Sequence, residues 1–212
     1  MRPFGYCFSK LIQSVTLTLI NSTFLLAVIG GPTFAQSPKQ AGNGSGLTPA
    51  GITAGSGGVI IDGGDRDDHG SRTAGPDGIL GTADDVNLRG WKFIEEMVKF
   101  GLNGARNSGT GILVIGATGS RALGAITSVS IVLGAPMTVL TGGAISTENF
   151  RRYKVLYVPS DRGNTGGGIS DADLDLLTAR KNDVQTFVNT GGSLVALTEE
   201  DASSPYAWLE LP

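Results

Sequence analysis

Cysteine is almost missing from this chain: Cys7 is the single copy and stands within the first ten residues. One cysteine makes no intrachain disulfide and no thiolate metal cluster. Histidine is equally scarce, with His69 alone. Aromatic residues make up only 7% of the chain, so a core has to be assembled from Ile, Leu, Val and Ala. Excess charge is lacking too. A formal net charge of -3 gives no basic footprint for nucleic acid or an anionic membrane. What is plentiful is glycine, with 33 copies, which predicts long loops that turn sharply.

Residues 1–35 read as a secretory signal. Arg2 and Lys10 supply the positive start, and the apolar part runs from Leu11 to Ile29. Pro32-Thr33-Phe34-Ala35 then offers small residues at the -3 and -1 positions of a cleavage site. The competing reading is a membrane anchor, but Gln13, Asn21 and several Ser/Thr make this a poor spanning helix. The expectation is a product secreted, or held at the cell surface or in the periplasm, with no stable membrane span after cleavage. Removal of this segment also removes Cys7, and with it any cysteine nucleophile. Residues 36–58 are rich in Gly, Ser, Pro, Ala and Thr without periodicity, and read as a flexible linker.

Residues 59–86 form an acidic Gly/Asp stretch that begins with a short apolar run, Val59-Ile60-Ile61, which reads as a short strand. Seven aspartates follow: Asp62, Asp65, Asp67, Asp68, Asp77, Asp84 and Asp85. So many carboxylates in about two dozen residues repel one another unless a cation neutralises them. Hard cations such as Ca²⁺ take six to eight oxygens on a loop that wraps tightly, and the interspersed glycines permit such wrapping. All seven are therefore candidate calcium ligands. The spacing does not follow the EF-hand pattern. A solvated acidic surface loop is the plainer alternative. His69 lies in the same stretch as a candidate ligand or base, although an exposed histidine in a polar loop more often has neither role.

From residue 87 the pattern becomes strand, loop, helix. The spacing predicts a helix over Asn87–Leu102, burying Ile94, Met97, Val98 and Gly101 and exposing Glu95, Glu96 and Lys99. Gly111–Thr118 (GILVIGAT) reads as a buried parallel strand closed by a small-residue turn, and the rest of the chain is organised around it. A buried helix over Ala122–Leu133, a strand over Met137–Thr141 and one helical turn over Ser146–Arg151 follow. Tyr153–Pro159 is the next strand. Ser170 is a good N-cap for a long helix whose stripe is Leu174, Leu177, Val184, Phe187 and Val188. Gly191-Gly192 end it, and Ser193–Thr198 is the last strand. Alternation of this kind predicts an α/β fold of three layers with a mainly parallel sheet.

The region from about Gly111 to Leu211 resembles the class I glutamine amidotransferase-like fold, in the form found in secreted bacterial surface proteins without amidotransferase activity. The residues that carry the resemblance are Ile112–Gly116, Pro159-Ser160-Asp161 after its strand, the Gly166-Gly167-Gly168-Ile169 turn, and Phe187-Val188-Asn189-Thr190-Gly191-Gly192-Ser193-Leu194. In the catalytic relatives a nucleophilic cysteine follows the strand that corresponds to Ser193–Thr198. Here Thr198-Glu199-Glu200 stand there, so the resemblance implies a fold without that chemistry. It also implies an incomplete domain over residues 87–212: a truncated frame, a fragment, or a shortened sheet with an unprotected edge. Upstream, Asp77-Gly78-Ile79-Leu80-Gly81-Thr82-Ala83-Asp84-Asp85 is similar to a DGxxGTxDD motif of secreted bacterial surface proteins, which implies a calcium loop.

Three functions are compatible with these residues. One is a secreted non-enzymatic calcium-binding module with an extracellular or cell-surface ligand. Another is an NAD(P)-binding Rossmann-type enzyme, because Gly116-Ala117-Thr118-Gly119-Ser120-Arg121-Ala122 follows a strand and opens a helix as phosphate-binding loops do. Against it, Val139-Leu140-Thr141-Gly142-Gly143 ends the second strand with no acidic residue or Arg for the ribose. The last is a hydrolase using Asp161 with Glu199 or Glu200 at the strand ends.

Overall fold

The computed structural model describes residues 55–163, 166–198 and 204–209. The expected signal sequence, the linker through residue 54, and Glu199 and Glu200 lie outside the described residues. In chain order the elements are β1 (Val59–Ile61), β2 (Gly70–Thr73), β3 (Val86–Arg89), α1 (Gly90–Gly104), β4 (Ile112–Ile115), α2 (Ala122–Leu133), β5 (Met137–Leu140), β6 (Val155–Val158), α3 (Asp171–Thr178), α4 (Lys181–Asn189) and β7 (Ser193–Ala196). Two 3₁₀ turns, Gly142–Ser146 and Phe150–Arg152, connect β5 to β6.

Five strands form one sheet in the order β1-β7-β6-β4-β5, and every neighbouring pair is parallel. The apolar runs dictate this. Every residue of β4, β6 and β7 is buried, as continuous β-branched and aliphatic strands covered on both faces must be. Side chains then alternate between two cores. Leu113, Ile115, Leu156, Val158 and Leu194 pack under α3 and α4 with Ile145 and Phe150. Ile112, Val114, Val155, Tyr157 and Val195 pack under α1 and α2 with Ile94, Val98 and Ile126. The result is a three-layer α/β fold. No residue of α2 is exposed, in keeping with its apolar sequence.

The phenylalanine and glycines before β7 have a geometric explanation. Gly191 holds φ at 97°, and a Cβ on Gly192 would lie 2.2 Å from the Phe187 ring. The ring packs flat on the Gly192 backbone, so the last helix can turn straight into the strand.

Four sequence expectations change. The single helical turn over Ser146–Arg151 is instead two 3₁₀ turns, Gly142–Ser146 and Phe150–Arg152. Asn87–Arg89 are not helical: β3 pairs with β2 in a separate antiparallel ribbon, in register from Gly70↔Arg89 to Thr73↔Val86, and α1 starts only at Gly90. Glu95 is buried rather than exposed, because the Asn87 carboxamide and the Lys92 ammonium satisfy its carboxylate. The long helix after Ser170 is two helices, broken at Ala179-Arg180. There the Arg180 guanidinium donates to the carbonyls of Ile145 and Glu148 and lies 4.0 Å from the Phe150 ring centre. Ser170 caps as expected, accepting from Asp173 N at 3.2 Å.

β1 fills the place beside β7 that the sequence left open. Its register, Val59↔Leu194 to Ile61↔Ala196, makes residues 59–61 part of the sheet. Gly57 and Gly58 are tied down just before it, through Val188 O and Ser193 Oγ. With β1 set aside, the order β5-β4-β6-β7 is that of a flavodoxin-like sheet, and its direction of winding reverses between β4 and β6.

Candidate functional site

Because β1 runs parallel to its neighbours, the acidic stretch that follows it emerges at the carboxyl edge of the sheet. In open α/β sheets that edge, at the reversal of strand order, is where ligands bind. Here the chain itself fills the place. Asp67 is fully buried, and its carboxylate accepts from the Ser160 amide at 3.2 Å and from the Ser160 hydroxyl. The Asp67 carbonyl accepts from Trp91 Nε1 at 2.9 Å. On the other side of the crevice, Thr118 N donates to Gly167 O and Ala122 N to Gly166 O. Gly167 sits so close to Thr118 that a Cβ there would lie 1.5 Å from the Thr118 carbonyl. The amides of Thr118 and Ala122 are thus occupied by carbonyls.

The seven aspartates do not converge on one point. Asp65 and Asp68 lie with His69 in one turn, their ligand-capable atoms within 4.8 Å of one another. Within that turn His69 Nδ1 is 3.1 Å from the Asp65 carboxylate, and Arg121 is 3.4 Å from that of Asp68. Asp62 pairs with Arg66 at 2.9 Å. Asp77, Asp84 and Asp85 lie at the other end of the β2–β3 ribbon. Asp68 and His69 precede Gly70, whereas Asp84 and Asp85 precede Val86, which pairs with Thr73. Three residue steps separate the ends, roughly 10 Å. Asp67 belongs to neither group and serves as an anchor.

The Gly75–Asp85 loop is organised by its own signature residues. Asp77 Oδ1 accepts from Ile79 N at 2.8 Å, and Asp84 Oδ2 from Asp77 N at 3.1 Å. Thr82 donates its hydroxyl to Asp84 Oδ1 at 2.6 Å. Gly78 and Gly81 hold φ at 71° and 95°, a turn that a side chain at either position would strain. The Thr82 hydroxyl, and after it the Asp77 amide, hold the Asp84 carboxyl below its ordinary value, so it is ionised at neutral pH. Asp85 differs from both. Its side chain is fully buried; Oδ2 accepts from Gly81 N at 2.8 Å and lies 3.6 Å from Arg72 Nη1. Oδ1 is buried and has no hydrogen-bond donor. The Arg72 guanidinium is the positive partner of this buried carboxylate. Among the described residues, the carboxylate and imidazole atoms that come within 4.8 Å of one another as a group of three belong to Asp65, Asp68 and His69 and not to Asp77, Asp84 and Asp85.

The remaining expected residues have local roles. Asp161 Oδ1 accepts from Gly163 N at 2.6 Å. Thr198 is 1% exposed, and its carbonyl accepts from the Tyr206 hydroxyl. A cleft of about 110 Å³ between Phe150 and Arg180 is well below the ~300–1,000 Å³ of small-molecule sites. Sequence reading missed the residues that seat the ribbon. Asn87 Nδ2 donates to Glu95 Oε2 at 3.0 Å, and Ser128 Oγ donates to Asn87 Oδ1 at 2.6 Å, joining β3 to α1 and α2. One signal was available: Asn87 sits between Val86 and Leu88, a polar residue at the inward position of an alternating strand. The chain matches no family model, no curated protein and no solved structure.

Proposed function

We propose that this chain is a secreted, non-enzymatic α/β module that binds calcium in the Gly75–Asp85 loop and uses the domain for recognition of, or attachment to, an extracellular or cell-surface ligand. What supports this reading is the carboxylate content of the acidic stretch: Asp77, Asp84 and Asp85 in this loop, with Asp85 Oδ1 buried and without a hydrogen-bond donor, and Asp65 and Asp68 within 4.8 Å of His69 at the other end of the ribbon. The glutamine amidotransferase-like resemblance, with a buried threonine in place of the nucleophile, favours a module without that chemistry. The dinucleotide reading has less support, since two amides of the Gly116–Ala122 turn, those of Thr118 and Ala122, already donate to Gly167 and Gly166.

Calcium added to the folded state raises the melting midpoint by linkage, and a hundredfold excess over the dissociation constant is worth about 2.7 kcal/mol. The test is a thermal melt in millimolar CaCl₂ and again with chelator. An upward shift that disappears in the double variant Asp84→Ala/Asp85→Ala is the expected result. A cooperative melt indifferent to calcium overturns the reading.

A further inference from the structure

The buried Glu95 carboxylate stands between an asparagine and a lysine. Asn87 Nδ2 donates to its Oε2 at 3.0 Å, and Lys92 Nζ donates to its Oε1 at 2.5 Å. The other end of the same carboxamide is held as well: Ser128 Oγ donates to Asn87 Oδ1 at 2.6 Å. We propose that this cluster forms an intramolecular isopeptide bond, joining Lys92 Nζ to Asn87 Cγ with loss of ammonia.

Each group has the place the reaction requires. Lys92 is in the first turn of α1, three residues before Glu95, and Asn87 is the buried residue of β3. One carboxylate therefore holds nucleophile and electrophile together, which replaces a bimolecular encounter. Glu95 takes a proton from the Lys92 ammonium, and the freed Nζ lone pair attacks Asn87 Cγ. As the new C–N bond forms, the carbonyl π pair moves onto Oδ1, where the fully buried Ser128 hydroxyl already donates. Glu95 delivers its proton to Nδ2 and takes one from Nζ. The Cγ–Nδ2 bond then breaks, the carbonyl re-forms, and ammonia leaves with the proton remaining on Glu95, as ammonium. No co-reactant is consumed. Lys92 is half exposed, which gives the ammonia a way out. Glu95, and after it Glu96, hold the Lys92 ammonium above its ordinary value. The free amine is scarce, so the bond forms slowly, after folding. It ties the ribbon to α1 in a chain whose single cysteine makes no intrachain disulfide.

The test is a tryptic map of the full chain after incubation in mildly alkaline buffer, read by mass spectrometry. The expected product is Thr73–Arg89 joined to Gly90–Lys99, uncut at Lys92 and one ammonia lighter than the two peptides together. Lys92→Arg and Glu95→Gln should give no such product. Cleavage after Lys92 with Thr73–Arg89 recovered free, however long the incubation, overturns the proposal. So does equal linking in Glu95→Gln, which would leave the carboxylate without a part in the reaction. If that variant does not fold, the wild type decides against itself in concentrated urea. There the link should not form, and linking as fast as in the folded chain overturns the assignment to this cluster.

Discussion

The five-stranded sheet and the two-stranded ribbon are built by opposite means. In the sheet, β4, β6 and β7 are buried at every position, and side chains of one kind fill both faces. Specific partners matter little there, because apolar area is exchanged for apolar area. In the ribbon, Val86 and Leu88 face outward and are exposed, while the inward positions hold Asn87 and Arg72. Its seating depends on a few hydrogen bonds made in buried places, each costly to leave half-made. The sheet is a matter of quantity and the ribbon a matter of identity. Substitutions should separate them.

The largest effect belongs to the sheet. Leu156→Ala in β6, fully buried, should cost about 2–5 kcal/mol in a denaturant titration, and both regions should melt together. A smaller cost would mean that the core relaxes into the hole. Next comes Asp67→Ala, which strips the Ser160 amide and hydroxyl of a buried acceptor. It should cost about 1–3 kcal/mol, with the loss concentrated in the ribbon's amide protection rather than in that of β6. Equal loss everywhere would erase the distinction between the regions. Ser170→Ala removes the cap of α3 and should cost about 1 kcal/mol, a helix-end effect that leaves the ribbon untouched.

The smallest change has the opposite sign. The Tyr157 hydroxyl is buried without a donor or acceptor, so Tyr157→Phe should raise stability at neutral pH by about 1 kcal/mol or less. Burial, and after it the Asp67 carboxylate, push the Tyr157 phenol well above its ordinary value. As pH rises the unfolded chain gives up this proton first. Stability is therefore intact below tyrosine's ordinary pKa of about 10 and falls above it. The phenylalanine variant should lose less stability than wild type between pH 9 and roughly 11, checked by urea melts across that range.

The same division explains what could be read in advance. Ile112–Ile115, Val155–Val158 and Ser193–Ala196 are apolar runs between turn residues, and nothing competes with that signal. The Ser170 cap and the stripe of α3 and α4 were equally legible, because both follow local rules. The ribbon was not. Gly70-Ser71-Arg72-Thr73 has little strand character, and Val86–Arg89 blends into the periodic pattern of α1. Its pairing rests on contacts between residues far apart in sequence, such as Asp67 with Ser160 and Asn87 with Ser128. The break at Ala179-Arg180 has no glycine or proline to announce it; its cause is a guanidinium reaching across to another turn. For the site, composition identified the carboxylates but not their grouping. Whether seven aspartates share an ion depends on which end of a ribbon each occupies, and a linear count carries no such information.

The placement of β1 has a consequence in time. It is the earliest strand of the sheet to be synthesised, yet its partner, Leu194, lies 135 positions after Val59. Closing so long a loop costs on the order of 4 kcal/mol in chain entropy before any pairing repays it. The sheet therefore has to grow outward from β4, whose neighbours in space are also close in sequence, with β1 arriving last. Until then the outer edge of β7 is open to any extended segment nearby, so the interval between the seating of β7 and that of β1 is when a nascent chain is most exposed to mispairing with its neighbours.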